Sequence, residues 1–160
     1  MEPPEISAAQ DGCFLSSQAL VGGWTKHALR TSEDLTQLCR GVWILTAALE
    51  GLMPRQRHRI DVRAELLGLG PGWHAARRSV AFLADVPLLG NPPSSPQLLR
   101  DPSRPTERSS HPDRRIASLP QRQRGLRNGL PTPRLARVAL DPARGAPVGG
   151  VRGGWWGRFS

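Results

Sequence analysis

The chain has 160 residues and a formal net charge of +9, with 22 Lys or Arg, 13 Asp or Glu, 17 Gly and 16 Pro. This length has room for one domain, or for a small domain and a tail. A run of about 18 apolar residues is absent, which argues against a membrane span and against a membrane partner.

The charge is unevenly distributed. Residues 1–90 hold nine basic and nine acidic residues, whereas residues 91–160 hold thirteen Arg and four acidic residues. Eleven of the sixteen prolines also lie in the second segment. Because low hydrophobicity combined with high net charge is typical of disorder, we expect a boundary near Gly90 and a basic disordered tail over residues 91–160.

Residues 1–30 are predicted to be a mostly irregular segment, in which residues 13–21 form a short helix or strand that the Gly22 and Gly23 pair ends. This segment contains Glu2, Glu5 and Asp11 and has no basic region before an apolar run. That pattern argues against a secretory signal and favours an intracellular protein, in the cytoplasm or the nucleus.

The strongest helical pattern covers residues 31–53. Its aliphatic residues recur at spacings of three and four, which predicts one apolar stripe, and they are Leu35, Leu38, Val42, Leu45, Leu49 and Leu52. Thr31 or Ser32 can cap the start, and Pro54 is expected to end the helix because proline has no N–H to donate. The stripe lasts only about two and a half heptads, so packing within the chain is favoured over an oligomer.

Further helices are predicted over residues 60–69 and 73–85, with residues 55–59 as a basic linker. The expected fold is therefore a mostly disordered protein with a marginal all-α cluster of two or three short helices at about residues 31–86. The Pro-, Arg- and Gly-rich C-terminal half is expected to be disordered.

Catalytic and metal-binding chemistry is not predicted. The histidines and cysteines lack the spacing of two to four residues that a zinc site needs, and no acid, base and nucleophile set is visible. We therefore expect no enzymatic activity and no cofactor, with Cys13 and Cys39 as free thiols.

Nucleic-acid binding is the functional signal that the sequence does carry. Arginine neutralises phosphates, and aromatic rings stack on bases of any sequence. The end of the chain, GGVRGGWWGRF, resembles the RGG-type segments of RNA-binding proteins, although it has one Arg-Gly-Gly unit. The candidate binding residues are Arg114, Arg115, Arg122, Arg124, Arg127, Arg152, Trp155, Trp156 and Arg158.

Three interpretations of function remain open. Gly, Ala, Pro and Arg, which GC-rich codons encode, make up 70 of the 160 residues, so the first is a poorly constrained GC-rich reading frame whose product has no evident biochemical activity. The second is weak, non-specific binding of RNA or other single-stranded nucleic acid through the arginine-rich tail. The third is a protein-interaction adaptor that uses the apolar segment 35–52.

Overall fold

The first described part of the chain forms a three-stranded antiparallel sheet, called here the N-terminal sheet. The computed structural model describes residues 10–84, 90–102 and 110–134. The strands of this sheet are β1 (Phe14–Leu15), β2 (Leu35–Cys39) and β3 (Val42–Leu45). The order is β1-β3-β2, so β3 lies in the middle and pairs with both neighbours.

The prediction of a helix over residues 31–53 is wrong, because this stretch forms β2, β3 and a 3-10 turn at Thr46–Leu49. Side chains alternate across β3: Val42 and Ile44 pack on one face of the sheet, and Trp43 packs on the other. A strand buried on both faces is apolar throughout, and its sequence therefore does not show polar alternation. The apparent helical spacing arose from combining residues of two strands and a turn.

One face of the N-terminal sheet is covered by two short helices, α1 (Ser16–Val21) and α2 (Lys26–Thr31). Ala19 and Leu29 from these helices pack against Phe14, Leu35 and Trp43. The segment that was predicted to be mostly irregular thus supplies one layer of the core.

The opposite face of the N-terminal sheet packs against α3 (Pro54–Leu69). Pro54, expected to end a helix, begins this one, since the first helical N–H has no partner within a helix and proline loses nothing there. The Met53 N–H donates to Gln56 Oε1 at 2.8 Å and completes the start of the helix. The predicted basic linker at residues 55–59 is therefore the first part of α3.

Helix α3 has two buried faces. Ile60 and Ala64 pack on the N-terminal sheet, whereas Val62 and Leu66 belong to the second core cluster. Residues two apart on a helix point about 200° apart, so these pairs lie on nearly opposite sides. The helix therefore lies between two parts of the fold rather than on its surface.

The second half of the fold is built from a further sheet, a helix and a hairpin. They are β4 (Trp73–Ala75), α4 (Arg77–Leu83), β5 (Leu98–Arg100), β6 (Arg114–Ile116), a 3-10 turn at Gln121–Gln123, β7 (Arg124–Arg127) and β8 (Leu130–Pro133). The sheet order is β4-β5-β6, with β4 and β5 antiparallel and β5 and β6 parallel. Strands β7 and β8 form an antiparallel hairpin that contacts β4.

This arrangement corrects the predicted all-α, mostly disordered fold class. The described residues form a mixed α/β fold with eight strands in three sheets and four helices. The expected helix over 73–85 begins as strand β4, and the residues described beyond Gly90 hold four strands. Across the described ranges, no helix combines the length and the apolar character needed to cross a bilayer.

Candidate nucleic-acid interface

Two of the predicted binding arginines form ion pairs within the fold. Arg114 Nη2 lies 2.7 Å from Glu65 Oε2 and joins β6 to α3. The guanidinium of Arg124 pairs with the Asp101 carboxylate, and its Nε donates to the Leu119 carbonyl at 2.9 Å. Because their charges are already compensated, Arg114 and Arg124 are poor candidates for binding phosphate.

The other predicted arginines within the described residues are exposed. Arg115 lies on β6, Arg122 in the 3-10 turn before β7, and Arg127 at the end of β7. Within the described part of the chain none of the three pairs with a carboxylate, and Arg127 Nη2 makes a 3.4 Å contact with the Ala84 carbonyl. Their charges are therefore open to an anionic partner.

The β7–β8 hairpin adds two residues that the sequence interpretation missed. Arg134 is exposed, and its N–H donates to the Gln123 carbonyl at 2.8 Å, which places it beside the turn that carries Arg122. Leu126 is 74% exposed on β7 and offers an apolar surface. The arginines thus lie at both ends of the hairpin, with Leu126 on the strand between them.

The turn of this hairpin carried a sequence signal that the disorder prediction overlooked. Asn128 and Gly129 have φ values of 49° and 70°, and two positive φ values are characteristic of a type I′ turn. Asn-Gly is the dipeptide most typical of that turn. Arg63 of α3 fixes it by donating to the Gly129 carbonyl at 3.1 Å while its Nε pairs with Asp11 at 3.0 Å.

The remaining predicted binding residues lie outside the described residues. They are Arg152, Trp155, Trp156 and Arg158. The interface that can be built from the structure therefore consists of Arg122, Arg127 and Arg134 at the β7–β8 hairpin, of Arg115 on β6, and of Leu126. The four arginines are together called here the hairpin arginines, although Arg115 lies outside the hairpin itself.

A histidine and a serine lie within hydrogen-bond distance of each other, as in a catalytic pair, but both are buried. His58 Nε2 lies 2.9 Å from Ser79 Oγ, and Ser79 Oγ accepts a hydrogen bond from the Gln97 N–H at 2.9 Å. Ser79 is fully buried and His58 is 4% exposed, so a substrate cannot reach either group. Burial lowers the pKa of His58. The pair joins α3, α4 and the start of β5, which is a structural role.

The two cysteines are free thiols in this structure. Burial raises the pKa of Cys13 to about 12 and that of Cys39 to about 11. Because the thiolate is the reactive form, neither thiol has the environment of a nucleophile. Within residues 10–84, 90–102 and 110–134, no three His, Cys, Asp or Glu side chains come together as a metal ion would require.

Comparisons with protein-family models, with curated proteins and with solved structures each find no match for this chain. Its function is therefore inferred from the positions and charges of its own residues.

Proposed function

We propose that this chain is a non-enzymatic protein that binds single-stranded nucleic acid without sequence preference, and that the hairpin arginines form the structured part of its interface. The observation that carries the proposal is the division among the arginines of residues 110–134. Arg114 and Arg124 are paired with carboxylates, whereas Arg115, Arg122 and Arg127 are exposed and face none among the described residues.

Each exposed guanidinium neutralises a phosphate and releases its counterion, which makes the affinity depend on salt. Leu126, which is exposed on β7, gives an apolar surface on the same hairpin against which a base can lie. Trp155 and Trp156 would add base stacking, which tolerates any sequence. Contacts of this kind do not read base edges, so we expect no sequence preference.

The other two interpretations, an adaptor and a chain without evolved activity, lead to different expectations. The adaptor hypothesis depended on an apolar helix over 35–52, but these residues form β2, β3 and a 3-10 turn, and much of their apolar surface is buried in the core. A chain without evolved activity would still bind polyanions at low salt through its charge. It would be expected to release them near physiological ionic strength.

The test is a salt titration of fluorescence anisotropy with a labelled single-stranded oligonucleotide and the full chain. The variant with Arg115→Gln, Arg122→Gln and Arg127→Gln removes three phosphate contacts. At about −0.7 per contact for single strands, its log–log salt slope should be shallower by about 2.

The matched control is Arg57→Gln. Arg57 is exposed on α3, but its Nε lies 3.1 Å from Asp61 Oδ1, so its charge is compensated. This variant should keep the original slope. An unchanged slope in the triple variant would refute the hairpin interface, and loss of all binding near physiological salt would favour the interpretation without an evolved activity.

The aromatic contribution is tested separately by replacing Trp155 and Trp156 with Ala. Stacking on an aromatic ring contributes about 1–3 kcal/mol per base, independently of salt. The affinity should therefore fall while the salt slope stays the same. A change of slope without a loss at high salt would contradict the stacking role.

A further inference from the structure

A second basic surface lies on the N-terminal sheet and shares no residue with the hairpin arginines. It is a cleft of about 390 Å³ between α2 and the β2–β3 hairpin, called here the basic cleft. Lys26, Arg30 and Arg40 line it, and its apolar part is formed by Leu29 and Trp43. Its volume lies within the range of about 300–1,000 Å³ that is typical of small-molecule sites.

The three cations reach the basic cleft from two sides. Lys26 and Arg30 are four residues apart on α2 and therefore lie on the same side of that helix. Arg40 comes from the turn between β2 and β3, where Gly41 adopts a φ of +79°. All three side chains belong to exposed residues, and among the described residues none of them forms an ion pair.

The acidic residues of this region line a different cleft. Glu33, Asp34 and Glu50 line a cavity of about 350 Å³ together with Leu35 and Leu45, a register pair of β2 and β3. The basic cleft has no carboxylate among its described lining residues. Three of the nine basic residues of residues 1–90 thus line one cleft, and three of the nine acidic residues line another.

The apolar floor of the basic cleft is fixed by two hydrogen bonds. Trp43 Nε1 donates to Ser16 Oγ at 2.9 Å, and the Ser16 hydroxyl donates in turn to the Gly41 carbonyl at 3.3 Å. Leu29 and Trp43 are 2% and 7% exposed, so they form a packed floor that offers a ligand little surface. The cleft thus combines a fixed floor with three cations that no carboxylate pairs among the described residues.

We propose that the basic cleft binds the phosphates of a nucleotide, which Lys26, Arg30 and Arg40 contact. Three cations that line one cavity repel one another until an anion occupies it, and a triphosphate carries enough negative charge to compensate all three. A free nucleotide and the phosphorylated end of a nucleic-acid strand share this chemistry. The site is independent of the hairpin arginines.

The first test is calorimetric titration of the full chain with ATP, with tripolyphosphate and with adenosine, in low salt without divalent cations. ATP should bind and adenosine should bind far more weakly, because it lacks phosphates. Arg30→Gln and Arg40→Gln should each weaken ATP binding about tenfold, which is the loss expected for a charged hydrogen bond. Lys26→Gln should act in the same direction.

Two controls separate this site from general attraction to a basic protein. Arg57→Gln removes the same charge from α3, outside both proposed binding surfaces, and it should leave ATP affinity unchanged. Glu33→Gln removes a charge from the neighbouring acidic cleft, and it should also have little effect. Tripolyphosphate should bind at least as tightly as ATP, because the phosphates make the contacts.

The source of the phosphate is identified by comparing oligonucleotides with and without a 5′ phosphate. If the natural ligand is a strand end, Arg30→Gln should weaken binding of the phosphorylated strand but not of the unphosphorylated one. If the natural ligand is a free nucleotide, both strands should compete with ATP weakly and to the same extent. The proposal is overturned if adenosine binds as tightly as ATP, if ATP or tripolyphosphate does not bind, or if Arg57→Gln weakens ATP binding as much as Arg30→Gln does. Circular dichroism confirms that each variant keeps its fold.

Discussion

The sharpest test of the C-terminal fold compares two leucines of one hairpin. Leu130 on β8 is fully buried and packs with Val62, Val80 and Leu98, whereas Leu126 on β7 is 74% exposed. Both are replaced by Ala in the full chain, so the two substitutions are chemically identical. Only the surroundings of the side chain differ.

The expected losses differ severalfold. A Leu→Ala substitution in a packed core lowers the free energy of unfolding by about 2–5 kcal/mol, because it loses transfer energy and leaves a cavity. An exposed substitution usually changes it by less than about 0.5 kcal/mol. The loss of unfolding free energy in Leu130→Ala should therefore be a substantial part of the total stability of a domain, which is about 5–15 kcal/mol.

Urea unfolding followed by circular dichroism measures this difference. With a denaturant slope of about 2 kcal/mol per molar, Leu130→Ala should lower the midpoint by about 1–2.5 M, and Leu126→Ala should move it by about 0.25 M or less. Equal midpoints for the two variants would show that residues 124–133 do not pack on the core. The disorder predicted from their composition would then describe these residues better than the hairpin does.

Three further predictions concern titratable groups. Because burial lowers the pKa of His58 below its unfolded value, the unfolded chain takes up a proton first as the pH falls. Stability should therefore decrease on acidification below about pH 6.5, and urea midpoints of His58→Gln should show a smaller decrease. Cys13, whose pKa is raised to about 12, should react with a thiol reagent at pH 8 more slowly than Cys39, and both should react quickly in denaturant. Replacing Asp101 by Ala should lower the thermal midpoint, because Asp101 pairs with Arg124 and accepts the Leu119 N–H; the cost is about 1 kcal/mol, since the ion pair is partly exposed. Asp101→Asn, which keeps an acceptor oxygen, should recover part of that loss.

Two local features of the fold have local sequence signals that the prediction did not use. Thr25 caps α2 by accepting the Ala28 N–H at 3.0 Å, and the Asn128 and Gly129 pair forms a two-residue hairpin turn. Both features depend on a few neighbouring residues, so the sequence contains the information that they need. The Asn-Gly signal was overlooked because the composition around it is typical of disorder.

The hydrophobic pattern showed which segments are apolar but not how they fold. Leu35 and Val42 of the predicted stripe are buried in the core, yet their secondary structure depends on what covers them. Since α3 covers one face of β3 while α1 and α2 cover the other, the strand shows no polar alternation. The same reasoning applies to α3, whose two opposed buried faces do not form a single stripe.

The sequence determines where the charged residues lie along the chain, but the tertiary structure decides which of them form ion pairs and which of them come together. Composition placed the whole +9 after residue 90. The fold then brought Arg114 to Glu65 across 49 positions, and Arg124 to Asp101 across 23, which removes both from the candidate interface. In the neutral N-terminal segment it gathered Lys26, Arg30 and Arg40 into one cleft and the nearby acidic residues into another. Electrostatic interactions depend on distance in space, and only the folded chain sets those distances.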